Sequence, residues 1–100
     1  MWSRTPRYTS QPLPQTVTVG RSVTFSASAV GSPTPLAYQW LKDGAPVPSA
    51  TTSSYNIPSV ALADAGAYSL QVTNLAGTNF STTATLAVVS ATGFANVTNE

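Results

Sequence analysis

The side chains that could do acid–base chemistry in this chain are three carboxylates, those of Asp43, Asp64 and Glu100. The sequence contains no histidine and no cysteine, so a Ser-His-Asp triad, a Cys-His pair and a structural zinc site cannot be built from it. A pair formed by Asp43 and Asp64 would have the composition that glycoside hydrolysis uses, or would begin a weak calcium site. Each aspartate also has a structural explanation, because Asp43 precedes a hairpin glycine and Asp64 opens a turn. We favour that explanation and predict no catalytic residue, no metal site and no cofactor, and therefore a protein that is not an enzyme.

Composition limits the possible partners. Charged residues make up 7% of the chain, against about a quarter in average proteins, and the formal net charge is +1. There is no basic stripe, and we place Arg4 and Arg7 in a loose N-terminal segment, so phosphate-driven binding to nucleic acid is not expected. No apolar run approaches the length of a membrane span, and no signal-peptide core follows the N-terminus. We expect no membrane insertion, and a chain that is a fragment of a larger protein or lacks its signal.

Alternating apolar and polar residues, bounded by proline, glycine and asparagine, predict short β-strands along most of the chain. Pro12 and Pro14 break the first strand and suit an edge strand. One face of each later strand carries the predicted core: Val23, Phe25 and Ala27; Leu36, Tyr38 and Trp40; Tyr55 and Ile57; Tyr68, Leu70 and Val72; Ala84, Leu86 and Val88. We also expect Val60 and Leu62 to close the core at one end. No helix of ordinary length is expected.

The segment from Asp64 to Tyr68 predicts a tight corner before a strand. The Tyr68 ring would fill core volume while its hydroxyl bonds to backbone a few residues upstream. Gly66 would allow backbone angles that a side chain resists, and Asp64 would accept hydrogen bonds from nearby backbone N–H groups. We therefore predict that these three residues are structural.

A family resemblance rests on four features in the right order and spacing: the lone mid-chain Trp40, the run from Tyr38 to Gly44 around it, the corner from Asp64 to Tyr68, and the segment from Val72 to Gly77. Together they resemble an intermediate-set immunoglobulin-like domain of the cysteine-free kind found in large bacterial surface and secreted proteins. The resemblance covers about Pro12 to Val89. It implies an all-β fold, a two-sheet antiparallel sandwich with Greek-key connections and no disulfide.

The resemblance also implies where a disulfide would stand in relatives that have one. The two cysteine positions fall on Ala27 and Leu70, so an apolar contact would replace the bridge, and packing against the mid-chain tryptophan would hold the centre of the core. It further implies that the turns carrying Asp43 and Asp64 lie at one end of the sandwich, with Arg21 beside them.

We divide the chain into three parts. Residues 1–11 are an N-terminal segment that is partly an edge strand, and residues 12–90 form the immunoglobulin-like domain. Residues 91–100 are a tail or linker, because the alternating pattern fades there into Thr, Gly and Asn.

Some residues outside this pattern have more than one interpretation. We expect Trp2, Tyr8 and Phe94 in the flanks to dock on the domain edge or to belong to a junction with a neighbouring domain. The sequence pattern for N-glycosylation occurs at Asn79 and Asn96, and we attribute both matches to chance in a chain rich in serine and threonine.

Two functions from different classes fit these observations. The resemblance implies a non-catalytic spacer or adhesion and interaction module of a larger extracellular or cell-surface protein, bacterial in kind, whose partners are neighbouring domains of the same chain or a protein ligand. The alternative is an accessory module of a secreted enzyme that binds a carbohydrate or another ligand through three end loops. The candidate contacts in loops 33–36, 49–54 and 74–79 are Thr34, Thr51, Asn74 and Asn79. Those loops offer almost no exposed aromatic ring for a sugar, which favours the first function. Pairing between copies through the strand after Phe80 is a third possibility.

Overall fold

The computed structural model describes residues 4–90, and these residues form an all-β structure. The strands are β1 (Arg4–Ser10), β2 (Gln15–Thr18), β3 (Val23–Ser26), β4 (Ser28–Ser32), β5 (Ala37–Lys42), β6 (Ala45–Pro46), β7 (Ser54–Ile57), β8 (Gly66–Asn74), β9 (Gly77–Phe80) and β10 (Ala84–Val89). A single turn of 3₁₀ helix, Leu62–Asp64, precedes β8. The described part of the chain contains no α-helix.

The strands form the two layers of the predicted sandwich. One layer is a six-stranded sheet in the order β2-β10-β8-β5-β6, with β9 also paired to β8. The other layer consists of the pairs β1–β4 and β3–β7, which belong together because β4 continues the path of β3 after Ala27. β7 returns to pair with β3 across a long connection, as Greek-key topology requires. The prediction of an immunoglobulin-like sandwich is confirmed.

One strand pair differs from the antiparallel arrangement that the sequence led us to expect. β2 runs parallel to β10, with Val17 opposite Val88, whereas the other pairs within residues 4–90 are antiparallel. The reason is the interruption of the first strand by Pro12 and Pro14. Because the chain changes layers there, β1 joins β4 in one layer and β2 joins β10 in the other.

The turn between β5 and β6 is set by two residues. Asp43 and Gly44 both have positive φ angles, 52° and 85°, and Lys42 lies opposite Ala45. A two-residue hairpin loop with positive φ at both positions is a type I′ turn, for which Asp-Gly is a preferred pair. The sequence Lys42-Asp43-Gly44 therefore encodes this turn locally.

An aromatic cluster fills the space between the layers. Trp40 is 0% exposed, and its ring centroid lies 6.2 Å from that of Phe25 and 6.5 Å from that of Tyr55. Phe25 stacks on Tyr68 with centroids 4.9 Å apart. The indole N–H of Trp40 donates to the carbonyl of Thr52 at 2.9 Å, so the polar atom of this buried ring has a partner.

The positions that carry a disulfide in related domains are apolar and buried here. Ala27 is 4% exposed and Leu70 is 0% exposed, and both belong to the same core cluster as Trp40. Burial of a leucine side chain contributes about 1.5 to 3 kcal/mol. Packing therefore stabilises the centre of this sandwich without a covalent bridge.

Two expectations about the edges of the core were wrong. Leu62 is 58% exposed, whereas Val60 is 1% exposed and does close the core. Leu62 lies in the 3₁₀ turn, where the two-residue period of a strand no longer applies. Arg4 and Arg7 do not lie in a loose segment, because both belong to β1, which pairs with β4. β1 is therefore part of the sandwich. Residues 91–100, which we expected to be a tail or linker, lie outside the described residues.

Candidate functional site

The two aspartates that could have formed a catalytic pair serve the backbone. Asp43 accepts a hydrogen bond from the backbone N–H of Ala67 at 2.9 Å, and Asp64 accepts one from that of Ala61 at 2.8 Å. Arg21 lines a groove beside β2 and Val89. Within residues 4–90, Arg21 forms no ion pair with either aspartate. Within the same range there is no group of three or more potential metal-binding side chains. The carboxylates thus hold the turns at this end of the sandwich.

The predicted corner is built around Tyr68. Its hydroxyl donates to the carbonyl of Asp64 at 2.6 Å, four residues upstream. Burial, together with the neighbouring phenol of Tyr55 and the two aspartates at this end, raises the pKa of Tyr68 to about 12. The neutral, hydrogen-bonded phenol is therefore the form that the fold stabilises.

Gly66 suits the corner for a different reason from the one we expected. It is not among the glycines with positive φ, so unusual backbone angles are not the cause. A Cβ at this position would lie 3.0 Å from an Asp43 carboxylate oxygen and 3.0 Å from the Lys42 Cε. Glycine leaves room for the side chains of Asp43 and Lys42 to pack against this position.

Two of the three predicted ligand loops meet at one end of the sandwich, and Asn74 joins them. Its side-chain amide donates to the carbonyls of Arg4 at 2.8 Å and Pro33 at 3.2 Å. Its side-chain oxygen accepts the backbone N–H groups of Ala76 at 2.8 Å and Gly77 at 3.1 Å. Asn74 therefore fixes its own hairpin turn and ties it to β1 and to the 33–36 loop.

The third predicted loop, residues 49–54, does not reach that end. The backbone N–H of Trp40 donates to the carbonyl of Ala50 at 2.9 Å, and its indole N–H bonds to Thr52. Trp40 lies in the middle of β5, so Thr51 is held beside the middle of the sandwich. The three loops do not form a single site.

The remaining candidate contacts are divided between exposed and structural positions. Thr34 is exposed on its loop. Asn79 donates its side-chain amide to the carbonyl of Pro6 at 2.9 Å, and its side-chain oxygen accepts the N–H of Phe80. Asn74 and Asn79 both use their amides to hold β1 in place, which leaves little of their hydrogen-bonding capacity for a ligand. Asn96, the other glycosylation pattern, lies outside the described residues.

Tyr8 connects β1 to the opposite layer. Its hydroxyl lies 2.5 Å from the carbonyl of Leu70 in β8 and 3.2 Å from that of Asn79 in β9. Burial raises the pKa of Tyr8 to about 12. Of the three flanking aromatic residues, Tyr8 docks against the domain, while Trp2 and Phe94 lie outside the described residues.

A surface that the sequence analysis did not predict lies on the β1–β4 pair. We call it the β1–β4 face; it borders a cleft of about 220 Å³ lined by Arg4, Thr5, Arg7, Val30, Gly31 and Ser32. Arg4 and Arg7 are exposed, and Val30 is 44% exposed and lies opposite Arg7. One signal was available in the sequence: Pro6 and Tyr8 alternate with Arg7, which is the pattern of a strand with an arginine on its outer face.

Among residues 4–90, no helix has the length and apolar character needed to cross a membrane.

The immunoglobulin domain family matches residues 5–74, and the chain belongs to this family. Its sequence is similar to that of a decoration protein of Escherichia phage T5, with 42% identity over 55 residues. That match covers 55% of this chain and 34% of the phage protein, so the chain spans about a third of that relative's length.

Solved structures resemble the chain in fold. The titin fragment I67–I69 is 24% identical, with a TM-score of 0.79 over 86% of this chain and 33% of that one. Titin domains Z1Z2, solved in complex with telethonin, are 29% identical, with a TM-score of 0.77 over 90% of this chain and 50% of that one.

Proposed function

We propose that this chain is a non-catalytic immunoglobulin-like interaction module displayed on the outer surface of a larger particle or extracellular protein. The observation that carries the proposal is the β1–β4 face, which exposes Arg4, Arg7 and Val30 together on a hydrogen-bonded strand pair. An apolar side chain beside arginines is a composition typical of protein interfaces. The aspartates of the described residues, in contrast, are occupied by backbone hydrogen bonds.

The similarity to a phage decoration protein supports a place on a particle surface. The family resemblance implies a bacterial surface, but because of this relative we propose a virion surface first. A spacer role is a less specific version of the same proposal, because it names no binding partner. It is supported by the chain path, because Arg4 lies beside Asn74 at one end of β8 whereas β10 ends beyond Gly66 at the other.

A carbohydrate-binding role has one observation in its favour. Phe80 is 56% exposed and is the exposed aromatic side chain of residues 4–90, so it could stack on a sugar ring. It stands next to Asn79, whose amide is already bonded to Pro6. A glycan array with the wild type and Phe80→Ala tests this role, and binding that disappears in the variant would favour it over the proposal above.

The proposed function is tested by photo-crosslinking in the intact parent assembly. A photoreactive amino acid at Thr9, exposed on β1, is compared with one at Thr85, exposed on β10. We expect an adduct with another protein of the assembly from position 9 and none from position 85. If neither position gives an adduct, the result would indicate a spacer. Adducts from position 85 alone would place the interaction on the sheet that contains β10 and would contradict the proposal.

A further inference from the structure

We infer that the β1–β4 face binds an acidic segment of a partner protein, with carboxylates on Arg4 and Arg7 and an apolar side chain over Val30. This inference rests on the proposed function and names the chemistry of its partner.

The geometry places both arginines on β1, with the exposed Val30 of β4 beside one of them. Arg7 lies opposite Val30 and Arg4 lies opposite Ser32, with an irregularity in the register between the two arginines. Pro6, between them, is fully buried, so the strand turns its apolar residue inward and its arginines outward. A guanidinium binds a carboxylate through two parallel N–H···O bonds, and the exposed Val30 beside Arg7 offers a contact for an aliphatic side chain.

No acidic residue of the described chain neutralises this face. Asp43 follows Lys42, which lies opposite Tyr68 near the start of β8, whereas Arg4 bonds to Asn74 at its end. Six residues of strand separate Tyr68 from Asn74, about 20 Å at the rise of a β-strand. This exceeds the screening length of roughly 8 Å at physiological salt. Arg4 is therefore available to an external anion.

The number of charges favours a protein over a phosphate polymer or a membrane. Binding to nucleic acid gains its strength from many phosphate contacts, and lipid surfaces attract clusters of roughly four to eight basic residues. The face offers two arginines and an exposed valine. At the adjoining end of the sandwich Leu75 is 94% exposed, next to the Asn74 that bonds to Arg4. Apolar contacts of this kind suit a protein segment.

The backbone of the face is held in place before any partner arrives. Asn74 bonds to the carbonyl of Arg4 and Asn79 to that of Pro6, while Tyr8 bonds to the opposite layer. A rigid binding strand loses little conformational entropy on association. The two asparagines that we had considered as ligand contacts are thus positioning residues for the arginines.

The test is an NMR titration of the whole chain with a short synthetic peptide in which glutamates alternate with valines. We expect shift changes confined to the amides of β1 and β4 and to the arginine side-chain Nε–H groups of Arg4 and Arg7, weakening at high salt. Arg4→Gln and Arg7→Gln should each weaken binding roughly three-fold, and the double variant roughly ten-fold. Arg21→Gln is the matched control, because Arg21 lines a groove elsewhere.

Two control ligands distinguish the alternatives. A single-stranded DNA oligonucleotide and vesicles containing anionic lipid should bind more weakly than the peptide, and a peptide with lysine in place of glutamate should not bind. Equal or tighter binding of DNA or vesicles would overturn the inference, as would a peptide affinity unchanged in the Arg4→Gln/Arg7→Gln variant. If crosslinking from position 9 succeeds while the peptide fails, the interaction module stands and the acidic partner does not.

Discussion

Replacement of Tyr8 by phenylalanine tests how much its hydroxyl contributes to holding β1 against the opposite layer. That group lies 2.5 Å from the Leu70 carbonyl and 3.2 Å from the Asn79 carbonyl, and it links β1 to the opposite layer. The ring would remain packed against the core in the variant, so the change isolates the hydrogen bond.

The magnitude follows from what the substitution leaves behind. The Leu70 carbonyl also accepts the backbone N–H of Ser81 at 2.8 Å, so Tyr8→Phe does not orphan it. The expected loss is therefore that of one hydrogen bond, about 1 kcal/mol, rather than the larger penalty of an unpaired buried group. For a domain of this size 1 kcal/mol corresponds to a decrease in Tm of roughly 4 to 8 °C.

The assay is urea and thermal unfolding of the wild type, Tyr8→Phe and Tyr38→Phe. Tyr38 is also half-buried against the core, but its hydroxyl makes no hydrogen bond within residues 4–90, so its variant should stay within about 0.5 kcal/mol of the wild type. Hydrogen exchange should also accelerate at the amides of β1 in Tyr8→Phe alone. Equal stability of the two variants would refute the claim that the Tyr8 hydroxyl stabilises the attachment of β1.

Three further predictions concern the core and the corner. Leu70→Ala should cost about 2 to 5 kcal/mol in urea unfolding because the side chain is 0% exposed, and a change below 1 kcal/mol would contradict its place in the core cluster. Gly66→Ala should cost about 1 kcal/mol, because the alanine Cβ would displace the Asp43 carboxylate from the Ala67 N–H. The same substitution should cost little in an Asp43→Gly background, and additive losses of the two variants would contradict this explanation. Because the pKa of Tyr68 is raised to about 12 from 10.0, its contribution to stability is complete below pH 10 and lost as the pH rises to 12. Denaturation midpoints that stay constant or rise between pH 10 and 12 would be incompatible with this sign.

The sequence predicts the fold best in segments whose structure depends on residues that are close together in the chain. The alternation in Val23, Phe25 and Ala27 identifies an inward face, since a strand has a period of two, and all three residues are buried. The Asp43-Gly44 pair specifies its turn because both residues tolerate positive φ. In such segments the burial pattern can be taken from the chain without knowledge of distant contacts.

The candidate site could not be predicted in the same way, because distant residues hold it together. β1 begins with Arg4, and its carbonyl partner Asn74 lies 70 residues later in the chain. Pro6 is tied to Asn79 over a separation of 73 residues. A short polar strand fixed by such remote hydrogen bonds looks like a loose tail when it is judged from composition alone. The exposure of Leu62 was missed for a related reason, since a 3₁₀ turn interrupts the strand period.

The central claim is that this domain functions through its β1–β4 face. Hydrogen–deuterium exchange of the chain, measured free and within its native assembly, tests the claim most directly. We predict slower exchange on assembly at residues 4–10 and 28–32, and unchanged exchange in β5, β6 and the 49–54 loop. Protection confined to other strands, or exchange that is identical in the two states, would contradict the claim.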